Sequence, residues 1–371
     1  MKILHAAALL RPPLGVVNQM MWEQQAANTL GVSWHARMYC PAGAAPDSDV
    51  IHSPPDFKAI ADGSPVAKVR AWVRLRRDYH RWLLQIQHNY DALLLRYYVH
   101  DPFQLWFVRR ATKPVYFVHH TLEVPELAGA GGLIGSGRAL AEGLLGGRTI
   151  GKARGIVCVT PEIARYEAAR RRETSASIFI YPNGIVYSGK KAEDKRADIP
   201  KILFVASSFV AWHGLDRLLE SVGRFRGPFV LHLVGAVGVN ERNVAKLDPR
   251  IVLHDRLSHE AISQLAASCD VGLSSFALDR KQMTEACTLK VREYLMLGLP
   301  VYADYREVLP ENFPYYRRGP ADIELIVQFA QELRQVSRSS VSETARPYID
   351  KQVLLAGLIA EIKRDSETWP T

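Results

Sequence analysis

Two successive series of apolar, β-branched runs alternating with helical patterns predict an α/β protein made of two Rossmann-like domains with parallel sheets. A polar stretch without periodicity separates the two series near the middle of the chain. The length, 371 residues, exceeds what one ordinary core accommodates. These observations place an N-terminal domain over residues 1–190, a linker over 191–200, a second domain over 201–345 and a C-terminal helical segment over 346–371.

The first series opens with a strand over Lys2–Leu9, followed by a loop containing Gly15 and a helix through Met20–Leu30 that Gly31 closes. Strand, glycine loop and helix is how a Rossmann-like domain begins, although the loop carries no Gly-x-Gly-x-x-Gly and Gly15 suits a plain βα turn equally well. Further strands are expected over Trp34–Cys40, Ala92–Tyr97, Val115–His119, Ile156–Thr160 and Ile178–Tyr181. Asn183-Gly184 then supplies a turn after the last of these. The second series restarts at Lys201–Ser208 and continues with Val230–Val234, Ile251–His254, Val271–Ser275 and Val301–Ala303.

Composition narrows the function classes. Hydrophobic residues make up 48% and charged residues 23%, as in a soluble globular protein. Four scattered cysteines without a Cys-x-x-Cys pair read as reduced thiols, and no run approaches the ~20 apolar residues of a membrane span. The apolar start Met1–Leu10 meets Arg11-Pro12-Pro13 at once, which favours a buried strand over a signal peptide. Residues 1–200 hold 26 Lys/Arg against 17 Asp/Glu, whereas residues 201–371 hold 21 of each, so the net charge of +9 belongs to the first half. Such asymmetry points to an anionic partner for that half.

One helix carries the positive charge as a stripe. Over Val66–Gln87, Trp72, Leu75, Tyr79, Trp82, Leu83 and Ile86 share one face, and Arg70, Arg74, Arg77 and Arg81 share the opposite one. A core helix with a solvated basic face and a helix resting on anionic lipid, or on a lipid-diphosphate acceptor, both fit this pattern. The stripe lacks the interleaved aromatics of a nucleic-acid stacking platform.

The stretch Glu285–Val301 is the richest in chemistry. Thr288 suits an N-cap, Val291, Tyr294 and Leu295 recur at helical spacing, and Gly298 with Pro300 ends the helix. Free N–H groups at the helix start, with Lys290 one turn in, would receive a diphosphate. Glu285 and Glu293, eight residues apart, would hold hydroxyls on either side of it. A nucleotide sugar presents that combination.

Glu-x7-Glu followed by Tyr-Leu-Met-Leu-Gly-Leu-Pro-Val resembles the donor-site signature of retaining GT-B glycosyltransferases, family 4 in particular. Tyr181-Pro-Asn-Gly-Ile185 resembles the turn that closes the first domain in that family. The resemblance is continuous from about Val157 to Val301. It implies two Rossmann-like domains facing across a cleft, a C-terminal helix crossing back to the first domain, and sugar transfer from a nucleoside diphosphate to an acceptor hydroxyl with retention. It assigns Glu285 to the donor sugar, Glu293 to the ribose and Lys290 with His213 to the diphosphate, with Gly214, Thr288 and Gly15 as further donor-binding candidates. Family members commonly have Lys-Gly where this chain has His213-Gly214, so Lys290 would supply part of that charge. Val115-Tyr-Phe-Val-His119-His120 resembles the stretch that sets a histidine beside the donor sugar, with His120 in the better register and His119 next.

His100, after the Ala92–Tyr97 strand, would line the acceptor side. Neither His119-His120, whose side chains point oppositely with no evident third ligand, nor the loop Asp47-Ser-Asp49 reads as a metal site. No cofactor is expected beyond the donor substrate. The expected partners are a nucleotide sugar, a glycan or lipid-linked acceptor and the inner, cytoplasmic face of a membrane, in cell-surface polysaccharide synthesis. A nucleotide-sugar epimerase on the same fold and a glycosyltransferase-like binding protein without turnover are the rival readings.

Overall fold

The computed structural model describes residues 1–58, 64–129, 132–171, 176–189, 195 and 198–367. The chain divides into two compact units, one formed by Met1–Pro182 with Lys351–Thr371 and the other by Asn183–Asp350.

The first unit contains β1 (Ile3–Ala8), α1 (Leu14–Leu30), β2 (Trp34–Tyr39), β3 (Ile51–His52), α2 (Pro65–Ile86), β4 (Ala92–Arg96) and α3 (Pro102–Val108). It continues with β5 (Val115–His119), α4 (Glu123–Gly129), α5 (Gly132–Gly151), β6 (Gly155–Cys158), α6 (Pro161–Arg170) and β7 (Ser177–Ile180). Its seven parallel strands run in the order β3-β2-β1-β4-β5-β6-β7. The order reverses between β1 and β4, and ligands of open α/β sheets bind at such a reversal, outside the carboxyl ends of the strands. Strand β1 is buried throughout, and its residues pack with Trp34, Ala36 and Met38 of β2 into the core under α1.

The second unit contains β8 (Lys201–Ser208), α7 (Leu215–Arg224), β9 (Val230–Ala236), α8 (Val239–Ala245), β10 (Ile251–His254), α9 (His259–Ala267) and β11 (Val271–Leu273). Then come β12 (Glu285–Ala286), α10 (Leu289–Met296), β13 (Val301–Ala303), β14 (Arg306–Glu307), β15 (Tyr316–Arg318), α11 (Ile323–Glu332) and α12 (Arg338–Ile349). Its main sheet, β10-β9-β8-β11-β13-β15, repeats the same parallel order and reverses between β8 and β11; β12 and β14 form a separate two-stranded ribbon. Gly298 ends α10 in the left-handed region, φ 77°. A Cβ there would stand 2.4 Å from Cβ of Arg338, so only glycine lets α12 pack this close.

The domain boundaries differ from those read in the sequence. The first division falls at Pro182/Asn183 because the residues after the turn are already fastened to the second unit: Ile185 N–H donates to the Ile349 carbonyl at 2.9 Å. The linker expected over 191–200 lies for the most part outside the described residues. The second division falls at Asp350/Lys351, not at 345/346, because Val341, Ala345 and Ile349 of α12 pack with Val291 and Leu295 of α10.

The last helix, α13 (Lys351–Ser366), then belongs to the first unit. Leu355, Leu358 and Ile362 enter its core. Asp365 accepts from Arg154 at 2.8 Å and from Tyr116 OH at 2.6 Å, and Lys351 Nζ donates to Gln19 Oε1 at 2.8 Å. Gly15 is also corrected. It is the second residue of α1, exposed, rather than part of a loop, because extended Pro13 starts the helix and its carbonyl accepts from Val16 and Val17.

Candidate functional site

In the second unit, the residues singled out by the sequence gather around the carboxyl end of the sheet. The loop after β8 tightens into a 3-10 turn over Ala211–His213 and enters α7 through Gly214, φ 68°. A Cβ on Gly214 would lie 2.7 Å from the Phe276 carbonyl carbon, so the glycine brings this loop against the one that follows β11. Phe276 N–H donates to the His213 carbonyl at 2.9 Å.

His213 is buried, with its ring against Phe204, Phe209 and Trp212. Burial, with the nearby Lys290 charge adding to it, drives its pKa down to about 3. Val210 N–H donates to Nδ1 at 3.0 Å, so the neutral ring carries its proton on Nε2. It is a single hydrogen-bond donor without charge.

Lys290 supplies the charge from the first turn of α10. Its Nζ is buried, lies 5.3 Å from the Phe204 ring centroid and has no hydrogen-bond partner among the described residues. Burial lowers its pKa to about 7, against the opposing field of Glu293 one turn along. Glu293 is half-buried, and burial raises its pKa against the fields of His259 and Lys290. His259, the first residue of α9, carried no sequence signal for this role.

Thr288 is the N-cap residue of α10, as the sequence indicates, but its side chain makes no capping bond. Its hydroxyl instead meets Tyr305 OH at 3.1 Å, and Tyr305 OH meets Ser274 Oγ at 2.8 Å. The start of α10 therefore keeps donors that no capping side chain takes. Glu285 is buried at 2% exposure on the β12–β14 ribbon, 3.6 Å from the exposed Arg306 guanidinium. The structure thus collects a buried carboxylate, a helix start without a side-chain cap, an unpartnered ammonium and a neutral imidazole donor in one unit.

Sequence reasoning missed the group that holds this loop. Arg292 is fully buried and pairs with Glu307 at 3.1 Å, while its Nε donates to the Asn183 carbonyl at 3.1 Å. An arginine within a helical pattern reads as solvent-facing, so nothing in the sequence marked it.

In the first unit, His120 follows β5 and is half-buried. Burial pushes its pKa well down, and the fields of Arg96, His5, His119 and Lys351 push the same way. His119 is fully buried, stacked on Tyr97, and pairs through Nδ1 with Glu123 at 3.0 Å, with Glu167 at 3.8 Å. The two carboxylates beside His119 were not anticipated. They come from α4 and α6, forty-four residues apart, and Arg170 bridges Glu167 and Glu142 there. Burial, partly offset by Arg170, raises Glu123 to about 8. Asp47 and Asp49 are exposed in the loop before β3.

His100 is half-buried with φ 44°, and its Nε2 accepts from Arg138 Nε at 3.0 Å. Around it, Arg76 is buried on the apolar side of α2, where it donates to the Ala8 carbonyl at 3.1 Å and faces Asp101 at 3.6 Å.

The arginine stripe of α2 is not uniform. Arg74 pairs with Asp56 at 2.5 Å and Asp78 at 3.5 Å, and Arg77 pairs with Asp78 at 2.8 Å. Arg70 and Arg81 are exposed, and the outward face also presents Val66, Val69 and Val73 at 59%, 61% and 38% exposure. No helix of the described residues is long and apolar enough to cross a membrane.

No family model and no curated protein sequence matches this chain. Solved structures do. A lipopolysaccharide outer core galactosyltransferase, WaaB, aligns with a TM-score of 0.67 at 12% identity over 98% of this chain and 99% of its own. Anabaena HepE in complex with UDP aligns at 0.62 and 13% identity over 98% and 100%. A sucrose-phosphate synthase from Thermosynechococcus elongatus aligns at 0.64 and 15% identity over 98% and 99%. The chain has the α/β fold of GT-B glycosyltransferases, two Rossmann-like units each with its own parallel sheet.

Proposed function

We propose that the protein is a retaining glycosyltransferase that moves a sugar from a nucleoside diphosphate to an acceptor hydroxyl. The observation that carries this reading is the buried, unpartnered Lys290 ammonium at a helix start without a side-chain cap, between Glu285 and Glu293 on one chain segment. Backbone N–H groups, Lys290 and the Nε2–H of His213 would receive the diphosphate, and the backbone at Gly214 would allow its approach. Glu293 would bind the ribose. Glu285 would bind hydroxyls of the donor sugar and stabilise its developing positive charge. His120 keeps the donor-side role that the family resemblance gives it; the start of α1 at Gly15 would contact the donor, and His100 would line the acceptor side. The helix terminus and Lys290 supply the charge that a metal would otherwise supply. In the sequence of the first domain no carboxylate pair reads as base and nucleophile, which favours front-face substitution over a covalent intermediate.

The two glutamates should separate in assays. Glu285→Gln should lower donor hydrolysis about ten- to hundredfold, the ~1.5–3 kcal/mol of a charged hydrogen bond, with UDP affinity retained. Glu293→Ala should weaken UDP itself. Calorimetry showing both variants binding UDP like wild type would remove Glu293 from the site, and loss of activity in EDTA restored by manganese would overturn the metal-free reading.

Lys290 gives a pH signature. Its pKa of about 7 means the free site loses its ammonium as pH rises, and a bound diphosphate favours the charged form. UDP affinity should therefore be greatest below pH 7 and fall by up to about tenfold per unit above it. Lys290→Met should bind more weakly and flatten the profile; an unchanged slope in that variant would exclude Lys290.

For the acceptor we propose a lipid-linked glycan at the cytoplasmic face of a membrane, in cell-surface polysaccharide synthesis. The support is the outward face of α2, where exposed valines stand beside Arg70 and Arg81. Each basic residue near an anionic leaflet contributes ~1 kcal/mol. Replacing Arg70 and Arg81 by Gln, and Val66 and Val69 by Ser, leaves the Arg74 and Arg77 ion pairs in place. This variant should release from phosphatidylglycerol vesicles at low salt while donor hydrolysis persists. Unchanged sedimentation with vesicles would make α2 an ordinary solvated helix.

A further inference from the structure

The carboxylate assigned above to the donor sugar sits on a very short strand, and a two-residue ribbon alone cannot hold a side chain to the precision that catalysis needs. Glu285 and Ala286 pair with Arg306 and Glu307 on one side. On the other side stands Asn183, the residue at which the chain enters the second unit. Its side-chain Nδ2 donates to the Cys287 carbonyl at 2.7 Å, and its backbone N–H donates to Cys287 Sγ at 3.0 Å. Arg292 closes the ring, donating to the Asn183 carbonyl through Nε and to Cys287 Sγ through an Nη at 3.1 Å. Its partner Glu307 also accepts from the Thr288 N–H at 3.4 Å.

We propose that Asn183 is a positioning residue for Glu285: the entry turn clamps Cys287, and through it the segment that carries Glu285 into the start of α10. The inference rests on the donor-binding reading above. It extends the role of the Pro182-Asn183-Gly184-Ile185 stretch, which the sequence marks only as a turn closing the first domain. The geometry is specific in two ways. Asn183 donates from both its amide groups to one residue, so it fixes the direction as well as the distance of Cys287. The turn is also tied down within its own unit, since Ile185, two residues beyond Asn183, bridges to Asp350.

The test uses the full-length protein and two variants, Asn183→Ala and Asn183→Asp. The second retains side-chain shape but replaces the Nδ2 donor by an oxygen that faces the Cys287 carbonyl. Two readouts are needed. Alkylation of Cys287 by iodoacetamide, followed by peptide mass spectrometry, reports the clamp without any donor. UDP-glucose hydrolysis and UDP calorimetry report the site. Both variants should alkylate at Cys287 at least fivefold faster than wild type. They should lose about tenfold in kcat and distinctly less in UDP affinity, since Arg292 and Glu307 still hold the start of α10 from their own side. Unchanged alkylation overturns the clamp. Faster alkylation with wild-type kcat overturns the positioning role. Equal losses in UDP affinity and kcat would show a general loosening of the unit and overturn it too. If wild type hydrolyses no nucleotide sugar, the donor reading fails, while the alkylation arm still decides the clamp. Should Asn183→Ala fail to fold, the same outcomes are read on Asn183→Asp.

Discussion

A guanidinium sealed inside the second unit sets the terms for everything around it. Arg292 is fully buried, and a buried cation is tolerated only where acceptors surround it. Its acceptors come from separate segments: Asn183 at the chain entry, Cys287 before α10, Glu307 on β14 and the Val308 carbonyl. Each of these segments is short and irregular, and none could define its own place. Because the charge cannot be left unpaired, all of them are held at fixed distances from one atom group. Glu285 inherits its position from that arrangement, as does the amide end of α10.

What the sequence made legible was whatever repeats. The longer strands show themselves mostly as apolar runs, several of them β-branched, and the helix patterns between them return at 3.6-residue spacing. Strands β3, β12, β14 and β15 escaped because two or three residues hold no period. Thr288 at the N-cap and Gly298 after α10 were readable because each answers a local backbone requirement. Gly15 was misplaced because glycine is a turn signal by default, whereas Pro13 had already begun the helix.

Side-chain partners across the fold were not legible at all. Arg74 and Arg77 sit on the basic stripe that the helical wheel draws, yet Asp56 and Asp78 neutralise them. Arg76, one residue away, turns inward to Asp101. Similarly, nothing local joins Glu142, Glu167 and Arg170 to His119; the fold brings the middle of α5 and the last turns of α6 to the end of β5. The positive excess of the first half is a property of the whole count, and the ion pairs decide which of its charges face outward.

The second unit makes the converse point. Its charges nearly balance, 22 Lys/Arg against 21 Asp/Glu over residues 183–350, so no net field advertises an anion site there. What marks the proposed site is an ammonium, that of Lys290, without a hydrogen-bond partner among the described residues. In water an ammonium such as that of Lys290 would interact weakly with a diphosphate, because solvent screens it. Held over the Phe204 ring, beside an imidazole that burial keeps neutral, it would act across a medium of lower polarity and meets no competing acceptor among the described residues. The same burial that strengthens the interaction lowers the pKa to about 7, so affinity and protonation are bound to each other. A loop lysine exposed to solvent would hold its charge through neutral pH and bind more weakly. On the proposed donor reading, this chain, with histidine at 213, would trade a permanent charge for a buried one that the ligand itself helps to retain.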